Sequence, residues 1–212
     1  MHKSGTASLA GKGKEFSGNL FEIRLECGII FVKYATKTER THSVRRKEGK
    51  TDMKYASNNI RNILIAGHAG SGKTTLTEAL VYFSGAAERM GRVEDGTTIS
   101  DFDPEEAKRK ASLSASVVPV EYEGIKYNLI DAPGLFDFEA GEYEGIRAAE
   151  SVLVVVSGRS GVTVGAEKAF QLARKNGKAT MVFVSKCDLE NANYFKILED
   201  MKIKFGSTVC PC

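Results

Sequence analysis

The octapeptide Gly67-His68-Ala69-Gly70-Ser71-Gly72-Lys73-Thr74 constrains the fold more than any other stretch, because it satisfies the phosphate-loop pattern G-x-x-x-x-G-K-[ST] in full. Its flanks suit the pattern. Ile60-Arg61-Asn62-Ile63-Leu64-Ile65-Ala66 reads as a short buried strand, and Leu76, Leu80 and Phe83 fall at helical spacing just after the loop. Between a strand and a helix, the glycines let backbone N–H groups turn inward and close on a phosphate. The helix N-terminus adds a favourable partial positive charge. Lys73 is the candidate for the β- and γ-phosphates and the Thr74 hydroxyl for Mg²⁺, with Thr75 as a further candidate binding position. The competing reading is a glycine-rich turn with no ligand.

The rest of the chain supplies a sheet for this loop. Helix 1 is expected from Lys73 to Ser84, stopped by Gly85. Ala86 to Lys110 has no core periodicity and reads as a long mobile loop. Ser112 to Tyr122 and Ile125 to Ile130 form a hairpin about Glu123-Gly124. Val152 to Val156 and Thr180 to Val184 are continuous apolar runs, the mark of strands covered on both faces. Val164 to Lys175 and Asn191 to Phe205 read as helices. The segment Phe205 to Cys210 begins a further strand. Strands alternating with helices predict a three-layer α/β fold with a mostly parallel sheet and one antiparallel hairpin strand.

In such a sheet ligands sit at the carboxyl ends of the strands. Two more motifs fall there. Asp131-Ala132-Pro133-Gly134 follows one strand; a carboxylate at Asp131 can hold Mg²⁺, and Gly134 lets a backbone N–H approach a γ-phosphate. Ser185-Lys186-Cys187-Asp188 follows another; Asp188 can accept from both N1–H and N2–H of guanine, a donor pair adenine lacks, and the stem of Lys186 can pack along the base. Either motif alone is weak. Three in order, each after a strand, point to a guanine nucleotide, GTP or GDP, with Mg²⁺.

Residues 1–52 read as a separate region. They carry 11 Lys/Arg against 6 Asp/Glu, whereas residues 53–212 carry 19 against 21. The basic excess therefore lies outside the part with the phosphate loop and gives no support for sequence-specific nucleic-acid binding there. The first 19 residues are expected to be disordered, Phe21 to Tyr34 could pair as strands about Cys27-Gly28, and Arg45-Arg46-Lys47 could serve as a basic arm. An alternative makes Met53 the natural start, since Arg45 to Gly49 back-translates to purine-rich codons like a bacterial ribosome-binding site. The domain boundary is set at 52/53, with 53–212 an incomplete nucleotide-binding domain. No apolar run reaches the roughly 18 residues that span a bilayer. Cys27, Cys187, Cys210 and Cys212 match no zinc spacing and read as reduced cytosolic thiols. A cytoplasmic monomer is expected.

From about Asn59 onward the sequence resembles the GTP-binding domain of the translational GTPases, elongation factor G and its paralogues above all, on these three motifs and on Gly91 to Thr98, Gly158 to Val164 and Asn191 to Phe195. It is similar also to the tetracycline ribosomal-protection proteins over Thr74 to Ala86. The resemblance implies the P-loop NTPase fold, a ribosomal partner, a first switch within about 92–114 and a second within about 131–145. It also implies that Ser112 stands where the family's Mg²⁺-ligating threonine stands, and that Ser185 replaces an asparagine. Leu135 stands where the family places its water-orienting histidine, and leucine can neither donate nor accept a hydrogen bond. Neither His68 nor His42 takes that place. Three readings stay open: a GTPase that turns over slowly without a partner, a non-hydrolysing GTP-binding regulator, and a truncated remnant without function.

Overall fold

The computed structural model describes residues 29–32, 55–190 and 192–211. The expected domain boundary, Met53, His42, Arg45 to Lys47, Cys27, Cys212 and Asn191 lie outside them. Among the described residues, seven strands form one sheet: β1 (Ile29–Val32), β2 (Ile60–Ala66), β3 (Ser116–Tyr122), β4 (Ile125–Asp131), β5 (Ser151–Ser157), β6 (Ala179–Ser185) and β7 (Val209–Pro211). Their order across the sheet is β3-β4-β2-β5-β6-β1-β7. The pairs β2–β4, β2–β5 and β5–β6 are parallel, and β3 is the expected antiparallel hairpin partner of β4. One departure from the expected topology is β1, an Ile-Ile-Phe-Val run that pairs antiparallel with β6 on one side and β7 on the other. The β6 edge is a row of open N–H and C=O groups, and any apolar extended run can complete it.

Among the described residues, five α-helices flank the sheet: α1 (Lys73–Phe83), α2 (Pro104–Arg109), α3 (Ala140–Ala148), α4 (Val164–Lys175) and α5 (Tyr194–Phe205). Side chains alternate across a strand, so Leu64, Val154 and Val156 face one way while Ile65 and Val155 face the other. The first set packs against Ile146 of α3, Phe170 of α4 and Met201 of α5. The second packs against Leu76 and Val81 of α1. This makes the three layers. Phe170 and Phe205 stack with centroids 4.2 Å apart and clamp α4 to α5, each buried ring contributing about 2 kcal/mol.

Sequence periodicity missed α2 and α3, because neither presents an apolar face. Among its six residues α2 buries only Glu106, and α3 buries Gly141, Gly145 and Ile146. The Ala86 to Lys110 stretch, expected to be an irregular loop, therefore contains a helix. Its caps were legible: the Asp103 side chain accepts from Glu105 N, Pro104 opens the helix, and Lys108 and Arg109 close it. Register then aligns the motif-bearing strand ends, with Ile65 opposite Asp131, Ala66 opposite Val154 and Ser157 opposite Ser185.

Candidate functional site

The loop between β2 and α1 wraps tightly. Gly67, Gly70 and Gly72 take φ of 138°, 70° and 94°, a region that side chains with a Cβ avoid. Ser71 N donates to His68 O at 3.2 Å, and Lys73 Nζ reaches back to the same carbonyl at 3.1 Å. Lys73 is buried, and burial holds its ammonium below the usual lysine range, against the opposing pull of Asp131 and then Glu142. A cation so placed, short of hydrogen-bond acceptors, is ready to take anionic oxygens.

Beside it lies a cluster of hard oxygens. Thr74 Oγ1 donates to Asp131 Oδ2 at 2.9 Å and stands 3.3 Å from Ser112 Oγ. Ser112 Oγ in turn donates to Asp101 Oδ1 at 2.7 Å. Asp131 Oδ1 is buried and makes no hydrogen bond. Burial pushes the Asp131 carboxyl up to about 6, with Lys73 and the Thr74 hydroxyl pulling the other way. Asp101 is also raised, chiefly by burial, with the Ser112 hydrogen bond opposing it and the charges of Glu106 and Glu78 adding to it. Two hydroxyls, a carboxylate with an orphaned oxygen and a second carboxylate behind it fit a cation that prefers oxygen and octahedral geometry. Sequence reasoning singled out Thr74, Ser112 and Asp131. It passed over Asp101, which lies in the stretch taken for an irregular loop; the Asp-Phe-Asp-Pro-Glu-Glu run was its only signal.

The segment after β4 presses on the phosphate loop through backbone. A Cβ built on Gly134 would lie 2.6 Å from Ala69 N and 2.7 Å from the His68 carbonyl carbon, and would also strike Lys73 Nζ. Only glycine brings the main chain this close. Leu135, next in sequence, is 39% exposed. The Phe136 ring lies 5.7 Å from the His68 ring, and Lys168 Nζ sits 4.5 Å from its centroid. The same ammonium is 3.8 Å from Glu139 Oε2. His68 Nδ1 is buried without a hydrogen bond. Glu142, one of the first residues of α3, is half-buried, and burial pushes its carboxyl up to about 7 despite Lys73.

At the far end, β6 delivers Ser185 and Lys186 to the loop. Ser185 Oγ donates to Ser71 O at 2.5 Å, and Lys186 Nζ donates to Gly70 O at 2.8 Å. Gly158 N donates to Ser185 O at 2.6 Å. Asp188 is exposed, as are Gly70 and Thr75. The structure thus gathers the loop residues, Lys73, Thr74, Ser112, Asp131, Gly134, Ser185 and Lys186 along one edge of the sheet, with Asp188 just beyond and Thr75 on the outer side of α1. Among the described residues, no helix is long and apolar enough to cross a membrane. Among the described residues, Cys187 and Cys210 form no disulfide.

Comparison with known proteins gives a consistent set of likenesses. The family described as "Elongation factor Tu GTP binding domain" matches residues 58–210. An "Elongation factor G-like protein" of Mycobacterium tuberculosis is 37% identical over 152 residues, covering 72% of this chain and 21% of that protein. A "Ribosome-releasing factor 2, mitochondrial" of Drosophila ananassae is 32% identical over 166 residues, covering 78% of this chain and 22% of that protein. A crystal structure from Thermus thermophilus superposes with a TM-score of 0.67 at 44% identity, over 69% of this chain and 22% of that one. The chain spans about a fifth of the length of these relatives.

Proposed function

Since the chain belongs to the family of elongation factor Tu GTP-binding domains, we propose that it is the nucleotide-binding part of an elongation-factor-G-like translation factor, one that binds GTP and GDP with Mg²⁺ and hydrolyses GTP to GDP and phosphate at the ribosome in the cytoplasm. The observation that carries this reading is the cluster of buried Lys73, Thr74 and Asp131 with half-buried Ser112, with its unpaired carboxylate oxygen, beneath the backbone of Gly134. Lys73 meets the β- and γ-phosphates as a desolvated point charge. The loop amides and the start of α1 face the phosphate oxygens. Thr74, Ser112 and Asp131 supply the oxygens for Mg²⁺, which when bound neutralises charge developing between the β- and γ-phosphates. Gly134 N–H senses the terminal phosphate. Lys186 packs on the base and Asp188 reads its two donors. Of residues 1–52 the Ile29–Val32 strand belongs to this sheet, between β6 and β7.

Competition against a fluorescent GDP tests the base preference. GDP and GTP should displace it and ADP should not, while Asp188→Ala should erase the difference. Equal displacement by ADP on the unaltered chain sinks the reading.

A second reading is a binding module that holds GTP without turning it over. Leu135 favours it: an exposed aliphatic side chain beside the phosphate end cannot orient water. Single-turnover hydrolysis of bound GTP, with and without ribosomes, separates the two.

A further inference from the structure

The first switch region is fastened to α1 by a carboxylate that touches no part of the nucleotide site. Glu78 is 1% exposed. Its Oε2 accepts from Gly91 N at 3.1 Å and its Oε1 from Ile99 N at 2.6 Å. Between these two anchor points the chain folds on itself: Thr97 N donates to Arg92 O at 3.2 Å, Gly96 N to Val93 O at 3.1 Å, and Arg92 N to Thr97 Oγ1 at 3.0 Å. One carboxylate therefore closes a compact loop at both of its ends. Buried backbone N–H groups need acceptors, and a carboxylate is a strong one.

The fastening leads directly to the metal-facing cluster. Glu78 stands four residues after Thr74, on the same face of α1 and one turn further along. Two residues beyond Ile99, Asp101 receives the Ser112 hydroxyl, and Ser112 stands beside Thr74 Oγ1. Ser100 O, in between, accepts from Ser116 Oγ at 2.7 Å at the start of β3. The circuit runs from Thr74 down α1 to Glu78, across to Ile99, along to Asp101, and back through Ser112 to Thr74. A second buried carboxylate, Glu106, holds the other side of Ser112 by accepting from Leu113 N at 2.8 Å and Ser114 N at 3.1 Å.

We propose that Glu78 is a positioning residue of the nucleotide switch: by clasping Gly91 and Ile99 it sets the place of Asp101 and Ser112, and through them the Mg²⁺ requirement of GTP binding. This rests on the reading of the site as a magnesium–GTP site. The clasp has no direct claim on the nucleotide, so its loss acts through the metal. GDP binding measured in chelator is untouched. Gly91 offers a second handle on the same contact. A Cβ there would lie 2.6 Å from Glu78 Oε2 and 2.5 Å from Thr97 O, so Gly91→Ala pries the clasp open without altering α1.

The test uses the full chain, as wild type, Glu78→Ala, Glu78→Gln and Gly91→Ala. Mg²⁺ is titrated against a fluorescent GTP analogue, and hydrogen exchange follows the amides of Gly91 and Ile99. The expected result is a Mg²⁺ midpoint raised about tenfold in Glu78→Ala and Gly91→Ala, with Glu78→Gln between them and wild type because its amide keeps one acceptor. Both amides lose protection in Glu78→Ala. Unchanged midpoints in folded variants overturn the inference. If Glu78→Ala does not fold, Gly91→Ala and Glu78→Gln decide the matter by the same readings. If wild type binds no guanine nucleotide, the function proposed above falls, and the exchange data judge the clasp alone: protection lost in the variants supports it, and protection unchanged overturns it.

Discussion

The two segments that flank the phosphate loop are held in opposite ways. Residues 91–114 are fixed by three buried carboxylates: Glu78 on Gly91 and Ile99, Asp101 on Ser112, and Glu106 on Leu113 and Ser114. Residues 134–142 are held by main-chain contact at Gly134 and by the loose stack of His68, Phe136 and Lys168, and they leave Leu135 in solvent. Directed hydrogen bonds define one arrangement, whereas an exposed ring and an exposed aliphatic side chain define little. The first segment carries Asp101 and Ser112, part of the oxygen cluster proposed to hold Mg²⁺. The second has an exposed leucine at 135, which cannot hydrogen-bond an attacking water. Under the proposed function, binding would draw on the first segment and hydrolysis on the second.

The largest effect should come from the residue both segments share. Lys73→Ala removes two charge-assisted contacts to phosphate and should weaken GTP and GDP about a thousandfold; calorimetric titration measures it, and a small loss would place the phosphate elsewhere. Leu135→His probes the second segment alone. It should raise ribosome-stimulated single-turnover hydrolysis about a hundredfold, the scale of a positioned acid–base or water-orienting group, and leave GTP affinity as it was. A fall in affinity instead would tie the two segments together.

Glu142 gives the comparison a pH dependence. Its carboxyl is raised from the usual 4.5 to about 7 by burial, so the folded chain holds that proton more tightly than the unfolded one. The resulting stability is fully present below pH 4.5 and is lost as pH rises through about 7. Glu142→Gln should therefore melt higher than wild type at pH 8, by about 2 kcal/mol after allowance for partial exposure, and match it only below the unfolded carboxyl's range, at about pH 4. Equal pH profiles for the two proteins would remove Glu142 as the cause. The smallest effect concerns the first segment: Asp103→Ala deletes the cap of α2 and should cost about 1 kcal/mol, seen as faster amide exchange over residues 104–114 with no change in GDP binding without Mg²⁺.

The parts legible in sequence are those whose own pattern reflects their surroundings. Val152 to Val156 is apolar throughout because helices cover both faces of β5, and α4 shows its stripe of Ala166, Ala169, Phe170 and Ala173. The phosphate loop is legible because its glycines and Lys73 act locally. The carboxylate clasps are not, because a buried glutamate in α1 is explained only by amides 13 and 21 residues away. Asp101 hides for the same reason. α3 lacks a stripe because its glycines let it lie close on β2: a Cβ at Gly145 would meet Leu64 Cδ1 at 2.6 Å. The place of β1 between β6 and β7 depends on two strands far away in sequence, so no local pattern announces it.

The most direct test of the central claim is a thermal melt of the full chain with Mg²⁺, comparing no ligand, GDP, GTP and ATP. A ligand at about 100 times its Kd stabilises by about 2.7 kcal/mol, several degrees for a domain of this size. The account predicts one cooperative transition raised by GDP and by GTP and not by ATP at the same concentration. A transition that no nucleotide moves, or that ATP moves as far as GTP, would contradict it.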